Sequence, residues 1–130
     1  MTKQAFGKSL RLLTSSDFQV VFDHAPVRAS HNHFLILARF NALDHPRLGL
    51  VIGKKHVRLA HERNRLKRHI RETFRLRQQS LRGLDVIVVA RKGMGELSNP
   101  QLISQLTQQW QRIERRAQQQ SAHDTSAQGD

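Results

Sequence analysis

Residues 53–79, GKKHVRLAHERNRLKRHIRETFRLRQQ, hold ten Lys or Arg against two Glu, Glu62 and Glu72. A guanidinium is a planar fork that can donate two parallel hydrogen bonds to one phosphate, and a lysine ammonium is a point charge suited to the same partner. Wound as a helix at about 100° per residue, the stretch sorts into two arcs. Leu59, Leu66, Ile70, Thr73, Phe74 and Leu81 share one; Asn64, Lys67, Arg68, Arg71 and Arg75 share the other, with Arg65 and Glu72 at its far edge. One face can pack on a core while the other presents rigidly spaced cations to a polyanion. A merely solvated helix face has a similar composition, but this excess is local and nearly unpaired, which favours nucleic acid.

Other chemistry has little to draw on. The ten Asp and Glu are scattered, with no spacing that suggests a catalytic pair. There is no cysteine, which removes thiol nucleophiles, Cys-ligated zinc and disulfides. No P-loop is present, and Gly93-Met94-Gly95 is too short for a dinucleotide fingerprint. His31 and His33 would share a strand face and His56 and His61 flank the basic stretch, but no carboxylate stands at ligand spacing beside either pair, so a transition-metal site is not expected. A Mg²⁺ ion held mainly by RNA phosphates needs few protein ligands and leaves no motif. The net charge of +12 opposes compaction unless an anionic partner neutralises it. Nucleic acid is the first such partner and an anionic membrane surface the second. No apolar run approaches the roughly 18 residues of a membrane span. Residues 1–16 lack the apolar core of a secretory signal. The expectation is a cytoplasmic protein with neither a membrane nor a small-molecule partner.

The elements that must position the cations follow from periodicity. Residues 1–8 read as a flexible basic arm. Ser15 or Ser16 opens a helix, with Asp17 in its first turn and Phe18, Val21 and Phe22 on one stripe. Residues 27–30 suggest a short strand, residues 32–40 a strand apolar on both faces, and residues 47–52 another. The turn-rich residues 41–46 join the last two, so residues 32–52 read as a hairpin. Residues 53–58 form a basic loop before the long helix, with Gly83 as its stop. DVIVVA, residues 85–90, is a buried strand. Ser98 or Asn99 caps a third helix, whose Leu102, Ile103, Leu106, Trp110 and Ile113 recur at helical spacing. Residues 117–130 have no apolar residue larger than Ala and read as a disordered tail. The order α-β-β-β-α-β-α implies a two-layer α/β (α+β) sandwich, with helices on a small four-stranded mixed sheet and one RNA-binding domain over residues 9–116. Phe18, Phe22 and Phe34 are open to two readings: core, or an open groove where they stack on unpaired bases.

Arg63-Asn64-Arg65, Leu66-Lys67-Arg68 and Ile70-Arg71-Glu72 together spell R-N-R-L-K-R-x-I-R-E. This resembles the signature of the bacterial ribonuclease P protein component. Leu12, Asp17-Phe18, Val21-Phe22, Phe34, Leu48-Gly49-Leu50, Lys54-Lys55, Asp85-Val86-Ile87 and Ala90-Arg91 follow in the family's order, so the likeness spans about residues 8–116. His56-Val57-Arg58 stands where the family often has Gly-Asn after the paired lysines. The resemblance implies the protein subunit of a ribozyme that removes the 5′ leader from precursor tRNA. Its RNA would cleave with Mg²⁺, and no residue of this chain would be catalytic. Partners would be the catalytic RNA and precursor tRNA. Lys54, Lys55, Arg58, Arg63, Asn64, Arg65, Lys67, Arg68, Arg71 and Arg75 would bind RNA, and Phe18, Phe22 and Phe34 would line a leader groove. The rival readings are a ribosomal or architectural RNA-binding protein, a DNA-binding protein using the helix in a major groove, and a nuclease with its own active site. The third lacks an acid–base or metal set, and the second sits poorly with cations spread over so broad an arc.

Overall fold

The computed structural model describes residues 10–12 and 14–129, with side chains as far as residue 120. The arm expected over residues 1–8 lies outside the described residues. In chain order the elements are α1 (Ser15–Asp23), β1 (Val27–Ser30), β2 (Phe34–Phe40), β3 (Arg47–Val51), α2 (Ala60–Arg75), β4 (Leu84–Ala90) and α3 (Asn99–Gly129). A single 3-10 turn, Met94–Glu96, precedes α3. The order is the expected one, and the architecture is an α+β fold on a four-stranded mixed sheet.

Sheet order is β1-β2-β4-β3, and here the sequence reading needs correction. The expected hairpin over residues 32–52 does not form, because β4 lies between its two strands. β4 pairs antiparallel with β2 (Leu37 opposite Ile87) and parallel with β3 (Gly49 opposite Ile87). The hairpin partner of β2 is β1. The reason is burial: residues 84–88 are all buried, so β4 is most stable with a strand on each side and a layer on each face. A parallel β3–β4 pair requires a long crossover, and α2 is that crossover.

The sheet carries two cores. Phe34, Ile36 and Ala38 of β2, with Val86 and Val88 of β4, face α2 and α3. Leu37 and Ile87 face the other way, against Leu12 and Val21 of the α1 layer. Thr14 caps α1 rather than Ser15 or Ser16: its Oγ1 accepts from the Asp17 amide and the Asp17 carboxylate accepts from the Thr14 amide, both at 3.1 Å. α2 buries Leu66, Ile70, Thr73 and Phe74 as its spacing predicts, each large apolar side chain contributing about 1.5–3 kcal/mol. Leu59, assigned to the same arc, instead precedes the helix and is exposed. Leu81 is buried from the turns that follow α2, which reach Gly83 in the left-handed region at φ 84°. α3 packs through Leu102, Leu106, Trp110 and Ile113. The Trp110 indole donates to Thr73 Oγ1 at 2.9 Å, and that hydroxyl donates to the Ile70 carbonyl at 3.1 Å, so the two helices are joined by a hydrogen-bonded chain inside the core.

Ser98 and Gln101 cap α3 reciprocally, Ser98 Oγ accepting from the Gln101 amide and Gln101 Oε1 from the Ser98 amide. The helix does not stop at residue 116 as expected. Ala117 is buried, and the backbone continues to Gly129. The polar composition that suggested a disordered tail includes Ala and Gln, which are good helix formers, and no proline interrupts it.

Asp85 is 1% exposed on the α1 side of β4 and binds β3 to it. Its carboxylate accepts from Arg47 Nε and Nη2 at 2.8 and 2.7 Å and from Asn41 Nδ2 at 2.9 Å. The bonded carboxylate raises the Arg47 pKa above its ordinary value. Asp85→Asn removes the charge and turns an amide toward the guanidinium. The variant should lose about 2–3 kcal/mol of stability, less than a fully buried pair because Arg47 reaches solvent. Urea denaturation of the two proteins measures this.

Candidate nucleic-acid interface

The apolar stripe of α2 dictates where its cations go. With Leu66, Ile70 and Phe74 fully buried, Asn64 and Arg68 stand exposed, and Lys67, Arg71 and Arg75 are half-buried along the helix flank. Lys54, Lys55 and Arg58 are exposed in the loop before it. The predicted cations thus lie along α2 and the loop before it, but they are not equivalent. Arg65 is committed to the fold: Nε donates to Glu62 at 2.7 Å, Nη1 to Asn99 Oδ1 at 2.6 Å and Nη2 to the Gly95 carbonyl at 3.1 Å. It fastens α2 to the start of α3. Arg63 Nη1 donates to the carbonyls of Val57 and Arg58 at 3.0 and 2.7 Å, which fixes the end of the basic loop. Arg75 is bonded to Glu72, which raises the arginine pKa and lowers that of the glutamate. The repeated Arg of the R-N-R string therefore builds the surface more than it presents charge. Asn64, Lys67, Arg68 and Arg71 are its outward part.

A cleft of about 190 Å³ opens where this flank meets α1. Arg11, Leu12, Phe18, Gly49, Lys67 and Arg71 line it. The segment before α1 is held beside β3 by the Leu12 amide, which donates to the Leu48 carbonyl at 3.1 Å. Phe18 lies on β3 at Gly49, where a Cβ would come within 2.7 Å of the ring; only glycine lets the ring approach the backbone so closely. Burial, and after it the charge of Arg11, lower the Arg71 pKa from its ordinary value. A guanidinium keeps its proton regardless. Its charge is disfavoured there by desolvation and by a like neighbour, so a phosphate entering the cleft would relieve both. One aromatic face and three cations within one cleft suit a nucleotide better than either would alone.

The three phenylalanines separate. Phe18 is half-buried in the cleft, and Phe22 stands 45% exposed one turn further along α1. Phe34 does not belong with them. It is fully buried on the opposite face of the sheet, in the core under α2 and α3, with the His31 ring stacked on it at 4.6 Å. Strand alternation decides this: Phe34 shares the face of Ile36 and Ala38, while Leu35 and Leu37 face α1. The half-exposed Leu35, Val51 and Val89 form an apolar floor beside α1 that sequence reasoning missed. The signal was the alternation of β2, legible only once one face had been assigned to a helix layer.

Among the described residues, no three His, Asp or Glu side chains converge in a way that could hold a metal ion. His31 is engaged locally instead, its Nδ1 accepting from the His33 amide at 3.0 Å. Among the same residues, no helix is long and apolar enough to cross a membrane.

A cationic helix and an aromatic cleft between it and a small mixed sheet give the surface of an RNA-binding α+β domain. A family model described as Ribonuclease P matches residues 6–114. The ribonuclease P protein components of Pseudomonas putida (strain GB-1) and Azotobacter vinelandii are each 55% identical over 115 residues, covering 88% of this chain and 86% and 88% of theirs. The solved RNase P protein of Staphylococcus aureus superposes with a TM-score of 0.69 at 27% identity, over 85% of this chain and 96% of that one. The RNase P protein of Thermotoga maritima gives 0.61 at 31% identity, over 75% and 96%. The chain belongs to the ribonuclease P protein family.

Two substitutions separate the structural from the presenting cations. Replacing Lys67, Arg68 and Arg71 together by Gln should leave thermal stability within about 0.5 kcal/mol, since all three lie off the apolar stripe. It should also flatten the dependence of log affinity for RNA on log salt by about 2–3. Arg65→Gln should do the reverse, lowering the melting temperature while changing the slope by less than one. Filter binding across salt concentrations, with thermal melts in parallel, distinguishes them.

Proposed function

We infer that this chain is the protein subunit of ribonuclease P and assists the endonucleolytic removal of the 5′ leader from precursor tRNA. The enzyme is the holoenzyme, and its catalytic centre lies in the RNA. The observation that carries this reading is the cleft in which Phe18 meets Lys67 and Arg71, opening beside the cationic face of α2.

In this reading the exposed α2 surface, with Lys54, Lys55 and Arg58, binds the phosphates of the catalytic RNA. Salt-dependent counterion release supplies most of the affinity there. The leader lies along α1, its bases on Phe18, Phe22 and the apolar floor of Leu35 and Val89. Stacking of this kind contributes about 1–3 kcal/mol per base and tolerates any sequence, as a subunit serving many precursors requires. Lys67 and Arg71 stand where the two surfaces meet, so both RNAs are held in one frame. Orientation of this kind assists catalysis without a protein group touching the reacting atoms. Mg²⁺ supplies the hydrolytic chemistry when bound. In this reading RNA phosphates hold it, since phosphate oxygens are the hard ligands Mg²⁺ prefers. Cations of the protein lower the repulsion between the two RNAs and thereby the Mg²⁺ concentration needed. The compartment consistent with these partners is the cytoplasm.

Cleavage of a precursor tRNA by protein alone, RNA alone and both, across a Mg²⁺ titration, tests this. The mixture should cleave at lower Mg²⁺ than the RNA alone, and the protein alone should not cleave. Activity of a ribonuclease-treated, RNA-free preparation would overturn the reading. Phe18→Leu keeps an apolar side chain on Gly49 but removes the stacking ring. It should weaken precursor tRNA binding by about fivefold or more, the lower end of one stacked base, with mature tRNA binding and melting temperature unchanged.

A further inference from the structure

The β1 edge carries a second concentration of cations, separate from the α2 surface. Alternation along β1 buries Val27 and Ala29 against the α3 layer and leaves Arg28 and Ser30 exposed toward the α1 side of the sheet. Arg91, the first residue after β4, reaches across: its Nη1 donates to Ser30 Oγ at 2.9 Å and to the His31 carbonyl at 2.8 Å. From the other face, Arg112 and Arg116 project from one arc of α3, one turn apart. Arg116 donates to the Arg28 carbonyl. Arg112 lies close enough to His31 that, after burial and the neighbouring His33, its charge helps lower that imidazole pKa. Arg91 and Arg112 therefore flank the turn at His31, and Arg116 and Arg28 follow along the same sheet edge.

That turn is held rigidly. The His33 ring lies against Gly93, where a Cβ would come within 2.7 Å, and its Nδ1 donates to the Lys92 carbonyl at 3.0 Å. Gly93 itself sits at φ 91°, so the turns after β1 and after β4 are interlocked. The bonds these arginines make go to neutral carbonyls and a hydroxyl. Among the described residues, no carboxylate is paired with Arg28, Arg91, Arg112 or Arg116, and the nearby Glu114 is taken by Arg77 at 2.6 and 2.8 Å. Four like charges gathered without a counter-ion raise the free energy of the unliganded protein and favour an anion there.

We propose that this β1–α3 edge binds backbone phosphates of the precursor-tRNA leader, at nucleotides farther from the cleavage site than those in the Phe18 cleft. The inference rests on the reading of that cleft as leader-binding. Continuity selects the leader over the catalytic RNA. The half-exposed floor of Leu35 and Val89 runs from α1 toward Ser30 and Arg91, on the same face of the sheet. Three strand spacings separate β3 from β1, about 14 Å, a short path for a flexible single strand. α2 packs toward the β3 half of the sheet and α3 toward β1, so a structured RNA docked on α2 meets the other half. The His31 ring stacks on Phe34, so what this edge chiefly adds is charge. Contacts to phosphate alone position a strand without reading its sequence.

Arg28→Gln with Arg112→Gln removes two cations that donate none of the bonds described above. The reconstituted holoenzyme is tested with mature tRNA and with precursors carrying leaders of about 4 and about 12 nucleotides, the lower and upper range of a single-strand site on one small domain. Wild type should bind the long-leader precursor more tightly than the short. The variant should lose about tenfold on the long leader only, with a salt slope shallower by about 1.4 for two lost contacts to a single strand. Lys at both positions should restore most of the loss. Equal losses on both leaders, weaker binding of the catalytic RNA alone, or no loss in a variant with a normal melting temperature would each overturn the proposal. A wild type that fails to prefer the short-leader precursor over mature tRNA would instead overturn the leader reading of the cleft.

Discussion

The placement of β4 in the middle of the sheet is the constraint on which the rest of this structure depends. Apart from Asp85 its residues are apolar on both faces, so it needs a strand on either side and a layer above and below. Pairing it parallel to β3 forces the chain through a long crossover, and the only segment available is the most cationic in the protein. That segment can serve because its apolar residues recur every three or four positions. Once Leu66, Ile70 and Phe74 are committed to the core, the remaining positions have nowhere to go but outward. The charged surface is thus the reverse side of a packing solution, and its rigidity comes from the core beneath it.

Within that surface the arginines divide their work. A guanidinium has five donors, and Arg65 places three of its nitrogens on Glu62, Asn99 and Gly95. A lysine there would forfeit the fork that joins α2 to α3. Lys67 and Arg71 border the cleft, and Arg68 faces solvent. The chain concentrates its acidic partners where the fold needs them, Glu62 on Arg65, Glu114 on Arg77 and Asp85 on Arg47. Among the described residues, Lys67 and Arg71 in the cleft, and Arg28 and Arg112 at the β1 edge, have no such acidic neighbour. With so few carboxylates, pairing some cations internally leaves others uncompensated, and their positions mark where an external polyanion lowers the free energy most.

The order of elements and the inward stripe of α2 were legible in the sequence, because helical and strand periodicities are local and burial enforces them residue by residue. So was the cationic face, since a stripe committed to the core dictates what lies opposite. The R-N-R-L-K-R-x-I-R-E string pointed to the family on its own. Strand pairing was not legible. Residues 41–46 look like a hairpin turn, and nothing local reveals that β4, more than thirty residues later, takes the place beside β2; that is settled by which arrangement buries the most apolar surface. The side of the sheet that Phe34 faces was likewise undetermined, because β2 is apolar on both faces and its alternation has no sign until α1 and α3 take opposite layers. Arg65 and Arg68 are alike in one dimension, and only the approach of Asn99 and Gly95 makes one a brace. The cleft at Phe18 and the gathering of Arg28, Arg91, Arg112 and Arg116 exist only in three dimensions, because each unites residues from elements that the chain keeps far apart.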